Sequence, residues 1–182
     1  MDDIEFDNVF EFVIYDGYTE RALKSYKGET MPSIGITFRY RCPVHNKIEY
    51  FMFIDIDDDV DIQTLIRLLP DKPFIITKTR YGYHVIMVTH SPHKFITLFR
   101  NFKLAYKLQN RGIPVDINHL KLVFKRPFII LRVFGKYTDE PNVEVVAVNR
   151  PDDAVVQKLL DLYKAGDQNC RTSESRNKFS KK

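Results

Sequence analysis

Short apolar segments rich in β-branched and aromatic residues recur along the chain between polar ones, and this pattern predicts β-strands. Residues 34–41 and 48–55 are rich in β-branched and aromatic side chains, and the intervening residues 42–47 have the composition of a turn. We therefore expect these two segments to form a hairpin. The same features predict further strands at residues 9–15, 74–77, 84–89, 128–134 and 143–148, and we expect residues 74–77 and 84–89 to form a second hairpin.

Apolar positions spaced three and four residues apart predict helices elsewhere in the chain. The helical segments are residues 19–26, 60–69, 91–110 and 151–163. Thr19 and Ser91 are the predicted N-caps of the first and third helices, and Gly112 lies where the third one ends. The mixture of paired strands and single helices predicts an α+β fold rather than a long β-α-β series.

The chain has 182 residues, 44% of them hydrophobic, which is enough for one domain with a substantial core. We assign this domain to residues 1–166, because residues 167–182 contain almost no apolar side chains and predict a basic, disordered tail. The two cysteines, Cys42 and Cys170, do not indicate a disulfide framework. Without a leader-like segment or an apolar run of about 20 residues, the expected location is cytoplasmic, with no membrane partner.

Charge is distributed unevenly along the chain. Residues 1–63 carry 14 acidic and six basic side chains, whereas residues 94–136 carry ten basic side chains and one acidic one. A polyanion such as nucleic acid is the expected partner of the second segment. The basic face of the long predicted helix supplies the candidate nucleic-acid contacts, which are Arg100, Lys103, Lys107 and Arg111.

Two carboxylates close the apolar run that ends the second predicted strand. Asp55 and Asp57 are two residues apart and therefore project from the same face of a strand. Their repulsion is relieved by a hard divalent cation bound through oxygen. An ordinary strand followed by the acidic start of a helix also fits this segment. Asp116, the one acid within the basic segment, is either a salt-bridge partner or a third metal ligand.

A basic turn precedes the strand that begins at His84. It contains Lys78, Arg80 and Gly82, and glycine allows close approach of the backbone to a phosphate. This turn is a candidate binding site for a triphosphate. An ordinary hairpin with solvated charges is the alternative interpretation.

Together these segments resemble the archaeo-eukaryotic primase superfamily, the primase-polymerase catalytic domain. The family's landmarks are an apolar strand ending in Asp-x-Asp, a small-residue turn that runs into a strand histidine, and a later acid after an apolar residue. Residues 54–57, 79–84 and 115–116 are similar to these landmarks, in the same order. A strand arginine and a later lysine resemble a further family feature at Arg132 and Lys136. The resemblance spans roughly residues 34–136.

The resemblance implies that Asp55, Asp57 and Asp116 are the catalytic residues and hold one or two Mg2+ or Mn2+ ions. It implies a catalytic core built on a sheet of the RNA-recognition-motif type, antiparallel or mixed, with an N-terminal α/β unit. The nucleoside triphosphate would be bound by His84, Lys78, Arg80, Arg132 and Lys136. The implied activity is DNA-templated nucleotidyl transfer on single-stranded DNA during replication, as in a primase or DNA polymerase. A second primase subunit or a helicase is a further expected partner.

Two other functions stay open. A non-catalytic single-stranded nucleic-acid-binding protein would use aromatic stacking and the basic face, but it would gain nothing from converging carboxylates. A metal-dependent nuclease would use the same carboxylates. Zinc is not expected, because Cys42 and His45 are the only ligand pair close in sequence, and His90 and His93 lie far along the chain.

Overall fold

The computed structural model describes residues 4–5, 8–15, 20–23, 25–26, 33–125, 129–134 and 143–164. Within these ranges the strands are β1 (Ile4–Glu5), β2 (Phe10–Tyr15), β3 (Glu20–Leu23), β4 (Ser25–Tyr26), β5 (Ser33–Arg41), β6 (Ile48–Ile56), β7 (Phe74–Lys78), β8 (Tyr83–Val88), β9 (Ile130–Phe134) and β10 (Glu144–Asn149). The helices are α1 (Ile62–Leu68), α2 (Lys94–Gln109), α3 (Ile117–Lys121), which a 3-10 turn follows at Leu122–Phe124, and α4 (residues 154–164).

One open antiparallel sheet organises the molecule. Seven strands follow one another in the order β10-β7-β8-β6-β5-β2-β3, and β9 also pairs with β5. A separate two-stranded sheet joins β1 to β4. The predicted α+β class is therefore confirmed, as are both predicted hairpins. In the parts of the chain that the structure describes, no helix is long and apolar enough to cross a membrane.

The second edge of β5 is shared by two strands, and this arrangement creates the space for the candidate site. Residues 39–41 of β5 pair with residues 48–50 of β6, whereas residues 34–37 pair with β9. β6 therefore continues beyond Tyr50 with β8 on one edge and no β5 on the other. The end of β6, which carries Asp55, is open to a different segment of the chain.

β6, α1, β7 and β8 form a split β-α-β unit, because β8 lies between β6 and β7 in the sheet. Asp61 caps α1 by accepting a hydrogen bond from the Thr64 backbone N–H (2.8 Å). Almost every residue of β7 and β8 is buried, and α2 packs against β6. The central strands are therefore continuous apolar runs instead of alternating ones.

One prediction about the N-terminal part is wrong. The helix predicted over residues 19–26 is replaced by strands β3 and β4. The backbone of β3 pairs antiparallel with β2, and this long-range pairing overrides the local helical spacing. In the described residues before β6 the structure contains strands only, and the α/β character expected for the N-terminal unit stays a prediction. The tail at 167–182 lies outside the described residues.

The start of α2 also differs from the prediction. The N-cap is His93 and not Ser91, and His93 makes no side-chain capping hydrogen bond. Ser91 is buried, and its Oγ accepts the backbone N–H of His93 (3.3 Å) while its carbonyl accepts the N–H of Tyr50 (3.1 Å). Pro92 therefore lies before the helix. The helix ends at Gln109, ahead of Gly112, which adopts the left-handed φ of 83° expected at such a stop.

Candidate active site

The backbone next to the end of β6 brings Asp116 beside Asp55 and Asp57. Asp116 N–H donates to the carbonyl of Asp55 (2.8 Å), and Asp57 N–H donates to the carbonyl of Pro114 (3.0 Å). Between these bonds, Ile56 and Val115 form an antiparallel bridge. The segment 114–116 thus lies along the edge of β6 that β5 leaves open.

The three carboxylates form one cluster, which we call the carboxylate cluster. One oxygen from each of Asp55, Asp57 and Asp116 lies within 4.8 Å of the others. Asp116 is also the N-cap of α3, since its Oδ1 accepts the backbone N–H groups of Asn118 (2.9 Å) and His119 (3.1 Å). These two bonds fix the orientation of the Asp116 carboxylate. Asp116 thus lies beside the two acids at the end of β6, and metal binding by the three carboxylates stays a prediction.

The environment disfavours negative charge on two of the three side chains. Burial raises the pKa of Asp55, and the charges of Asp57 and Asp116 raise it further. Burial and the charge of Asp116 likewise raise the pKa of Asp57. His119 and Arg132 act in the opposite direction on Asp55. The cluster therefore holds more negative charge than its surroundings neutralise, a situation that a bound divalent cation relieves.

His84 lies on β8 directly opposite Asp55 in the strand register. Its Nε2 is 3.5 Å from Asp55 Oδ1, and its side chain is only 8% exposed. Burial, together with the positive charges of His119 and Arg132, lowers the pKa of His84 from 6.5 to about 3. The imidazole is therefore neutral near pH 7. Its Nδ1 is buried and has no hydrogen-bond partner among the described residues.

His119 is a site residue that the sequence analysis missed. It follows the Asp116 cap by three residues, and its Nε2–H donates to the carbonyl of Ile130 in β9 (2.6 Å). Its Nδ1 is buried without a partner among the described residues. The Asp-x-x-His spacing at the start of a helix was the available signal, because it places both side chains near one helix end. The short helix α3 that uses this spacing was not predicted.

Gly82 has a different role from the one that the sequence suggested. A Cβ atom at this position would lie 1.7 Å from the carbonyl oxygen of Ile56 and 2.9 Å from the backbone N of Asp58. The β7–β8 turn therefore packs directly on the backbone that carries Asp57. Glycine is required at this position because the turn approaches this backbone too closely for a side chain.

No family model matches the chain, and no curated protein or solved structure is similar to it. The primase-polymerase resemblance therefore rests on the residues of this chain alone.

The predicted phosphate-binding residues that the structure describes, apart from His84, lie on three different elements of the fold. Arg132 on β9 acts electrostatically on both Asp55 and His84, so it belongs to the site. Lys78 forms an ion pair with Asp59, and its Nζ lies 4.3 Å from the centre of the Tyr83 ring. Arg80 lies in the β7–β8 turn over the Tyr81 ring. Lys136 lies outside the described residues.

The predicted nucleic-acid face is on α2. Phe95, Phe99 and Tyr106 are exposed at 80%, 69% and 47%. Thr97 and Asn101 of the same helix are buried instead. An open groove along the helix is lined by Phe99, Phe102, Lys103, Tyr106, Lys107, Asn110 and Arg111. Arg100, the fourth basic residue predicted here, is exposed on the same helix.

Proposed function

We propose that this protein is a metal-dependent, DNA-templated nucleotidyltransferase of the primase or polymerase type. The convergence of Asp55, Asp57 and Asp116 carries the proposal, because Asp116 comes from a distant part of the chain and one oxygen from each carboxylate lies within 4.8 Å of the others. A charged cluster of this kind is unfavourable without a ligand. A cluster of carboxylate oxygens binds hard divalent cations.

The fold gives further support. The strand order β7-β8-β6 in the split β-α-β unit is compatible with the RNA-recognition-motif-type sheet that the resemblance implies, which supports the proposal. The carboxylates lie at the end of the β6 strand, next to His84 on β8. This placement agrees with the Asp-x-Asp, histidine and later-acid order of the family.

The three carboxylates would hold one or two Mg2+ or Mn2+ ions. Bound there, these ions lower the pKa of an attacking hydroxyl and stabilise charge on the transferred phosphoryl group. The reaction is attack of a 3′-hydroxyl on the α-phosphate of a second nucleotide, with release of pyrophosphate. Because His84 is neutral, it would offer a phosphate oxygen a hydrogen bond and no charge. Arg132 would supply the positive charge.

The α2 groove would hold the template strand. Its exposed aromatic rings suit base stacking, and Lys103, Lys107 and Arg111 suit the phosphate backbone. The same groove also favours the second candidate function, a non-catalytic single-stranded nucleic-acid binder. The two functions differ in what the carboxylate cluster contributes.

The test is incorporation of labelled ribo- and deoxynucleotides on a single-stranded DNA template, with and without a primer, in Mg2+ or Mn2+. We expect template-directed products that disappear in the Asp55→Asn and Asp57→Asn variants. Asp58→Asn is the matched control, because Asp58 is the adjacent exposed acid and lies outside the carboxylate cluster. This variant should retain activity.

Three results would contradict the proposal. Activity that persists in both cluster variants would exclude a role for the carboxylates. Metal-dependent shortening of the template without synthesis would favour the nuclease. Binding of the template without synthesis or cleavage, equal in wild type and cluster variants, would favour the binder.

A further inference from the structure

A second cluster of metal-ligand side chains lies at the opposite end of β6. It consists of Cys42, His45, Glu49 and His90, and one ligand atom from each lies within 4.8 Å of the others. Cys42 and His45 lie in the turn between β5 and β6, Glu49 is on β6, and His90 follows β8. The sequence analysis saw no further ligands for Cys42 and His45. The antiparallel pairing of β6 with β8 brings one such ligand, His90, beside Cys42, although the two residues are 48 positions apart in the chain.

Three distances between the ligand atoms are close to those of a tetrahedral site. Cys42 Sγ lies 3.5 Å from His45 Nδ1 and 3.9 Å from His90 Nδ1. A tetrahedral zinc ion with ordinary bond lengths places sulfur and nitrogen ligands about 3.6 Å apart. His90 Nδ1 lies 3.2 Å from Glu49 Oε2, close to the nitrogen–oxygen separation of about 3.3 Å in such a site. His45 Nδ1 instead lies 2.7 Å from the other Glu49 oxygen, Oε1, which is a hydrogen-bond distance, so zinc binding would require these two side chains to shift.

The groups around the cluster orient its ligands as they do around metal ions. His90 presents Nδ1 to the cluster, while its Nε2 lies 2.7 Å from Asp153 Oδ2. This is the carboxylate–histidine pairing that fixes the tautomer of a metal ligand. Asp153 is itself held, because its Oδ1 accepts the N–H groups of Val155 and Val156 at the start of α4. The Tyr40 hydroxyl donates a hydrogen bond to Glu49 Oε2 (2.9 Å) and so orients the carboxylate of Glu49.

The cluster is largely shielded from water. Cys42 is fully buried and Glu49 is 2% exposed. Buried charges are paired or coordinate a metal ion, and the Glu49 carboxylate is paired here with His45 and His90, so a zinc ion would replace contacts between its own ligands. His90 also adopts a φ of 51°, in the left-handed region that non-glycine residues rarely occupy. In this conformation the His90 imidazole is directed into the cluster.

We propose that Cys42, His45, Glu49 and His90 bind one zinc ion in a closed, structural site. A thiolate and two imidazoles favour zinc over Mg2+ or Mn2+, which prefer oxygen ligands. Four protein ligands leave no open position for a substrate, so the ion is structural and not catalytic. It would tie the β5–β6 turn to the segment after β8 and, through Asp153, to α4. This site shares no residue with the carboxylate cluster and does not depend on the proposed nucleotidyltransferase activity.

Metal content of the full-length protein is the first test. After expression with zinc and dialysis, elemental analysis should find about one zinc per chain in wild type and in the Asp55→Asn/Asp57→Asn double variant. The His45→Ala and Cys42→Ser variants should lose most of it. His93→Ala is the matched control, since His93 is an exposed histidine three residues from His90 and outside the cluster, and it should retain zinc.

Two measurements on the same proteins complete the test. Replacement of zinc by Co2+ should give the visible absorption of a tetrahedral site with a sulfur ligand in wild type and His93→Ala, but not in Cys42→Ser. Free zinc at a hundred times its Kd should raise the Tm of chelator-treated wild type by roughly 5–10 °C and leave that of Cys42→Ser unchanged.

The proposal fails if folded wild type carries no more zinc than folded Cys42→Ser. It also fails if zinc is bound equally by all of these variants, because the ion would then lie elsewhere. Circular dichroism of each variant establishes the folded state. A His45→Ala variant that is folded but zinc-free is the decisive positive result, because His45 is half exposed and contributes little to the core.

Discussion

Replacing Asp57 by asparagine should stabilise the protein in the absence of divalent cations. Asp57 has two other carboxylates within 4.8 Å, and the substitution removes its charge with little change of shape. Coulomb's law gives about 0.9 kcal/mol for each pair in water and about 3.5 kcal/mol at an effective dielectric constant of 20. Because Asp57 is exposed and salt screens its charge, we use the aqueous end and expect about 1–2 kcal/mol in total. For a protein of this size that is a rise in Tm of roughly 2–8 °C.

Divalent cations should reverse the order of stability. In chelator, Asp57→Asn should melt above wild type, whereas in saturating Mn2+ the wild type should gain much more than the variant. Differential scanning fluorimetry measures both conditions. Asp58→Asn is the control, because it removes an adjacent acid outside the cluster and should behave as wild type in both.

The pH dependence of this difference has a defined sign. The pKa of Asp57 is raised in the folded protein, so the folded state holds the proton more tightly than the unfolded one. The penalty in wild type is therefore present at neutral pH and disappears as the pH falls through the raised pKa toward the unfolded value. A variant no more stable than wild type in chelator at neutral pH, with equal Mn2+ shifts in both proteins, would refute the reasoning.

Three further predictions follow from individual residues. Gly82→Ala should lower the free energy of unfolding by about 1–3 kcal/mol and reduce nucleotide incorporation, since its Cβ would collide with the Ile56 carbonyl; unchanged urea unfolding would contradict this. Asp116→Asn should keep the α3 cap, abolish incorporation and, in chelator, be at least as stable as wild type, because it removes the same repulsion as Asp57→Asn, whereas Asp116→Ala should lose both the cap and incorporation; an active Asp116→Asn would remove Asp116 from the site. The lowered pKa of His84 means that the unfolded state takes up its proton first, so the contribution of His84 to stability should fall by about 1.4 kcal/mol per pH unit as the pH drops from about 6 to 4, measured as the difference between wild type and His84→Gln. His84→Gln should remove that slope in urea titrations made in chelator, and an equal slope in both proteins would contradict a buried, neutral imidazole.

Much of the central sheet could be predicted from the sequence. The hairpins β5–β6 and β7–β8 have strong alternating or continuous apolar patterns and short turns, which are local signals. The helix after β6 was also predictable, because aspartate is a strong N-cap residue. Asp61 does cap α1, by accepting a hydrogen bond from the Thr64 backbone N–H. The wrong prediction of a helix over 19–26 arose where a weak local pattern competed with pairing to β2.

The candidate site was predictable only in part. Asp55 and Asp57 were recognisable from their position at the end of an apolar strand, but the pairing of segment 114–116 with β6 is a contact between distant parts of the chain. The role of His119 depends on the unpredicted helix α3 and on the carbonyl of Ile130. The Cys42 cluster shows the same limit, because no local spacing indicates that His90 lies beside Cys42.

The most direct test of the central claim is the position of bound metal and nucleotide. Crystals grown with Mn2+ and a non-hydrolysable nucleoside triphosphate should show anomalous scattering between Asp55, Asp57 and Asp116, with the triphosphate on the same ions and next to His84 and Arg132. Manganese and triphosphate elsewhere on the protein, with the three carboxylates free of both, would contradict the account.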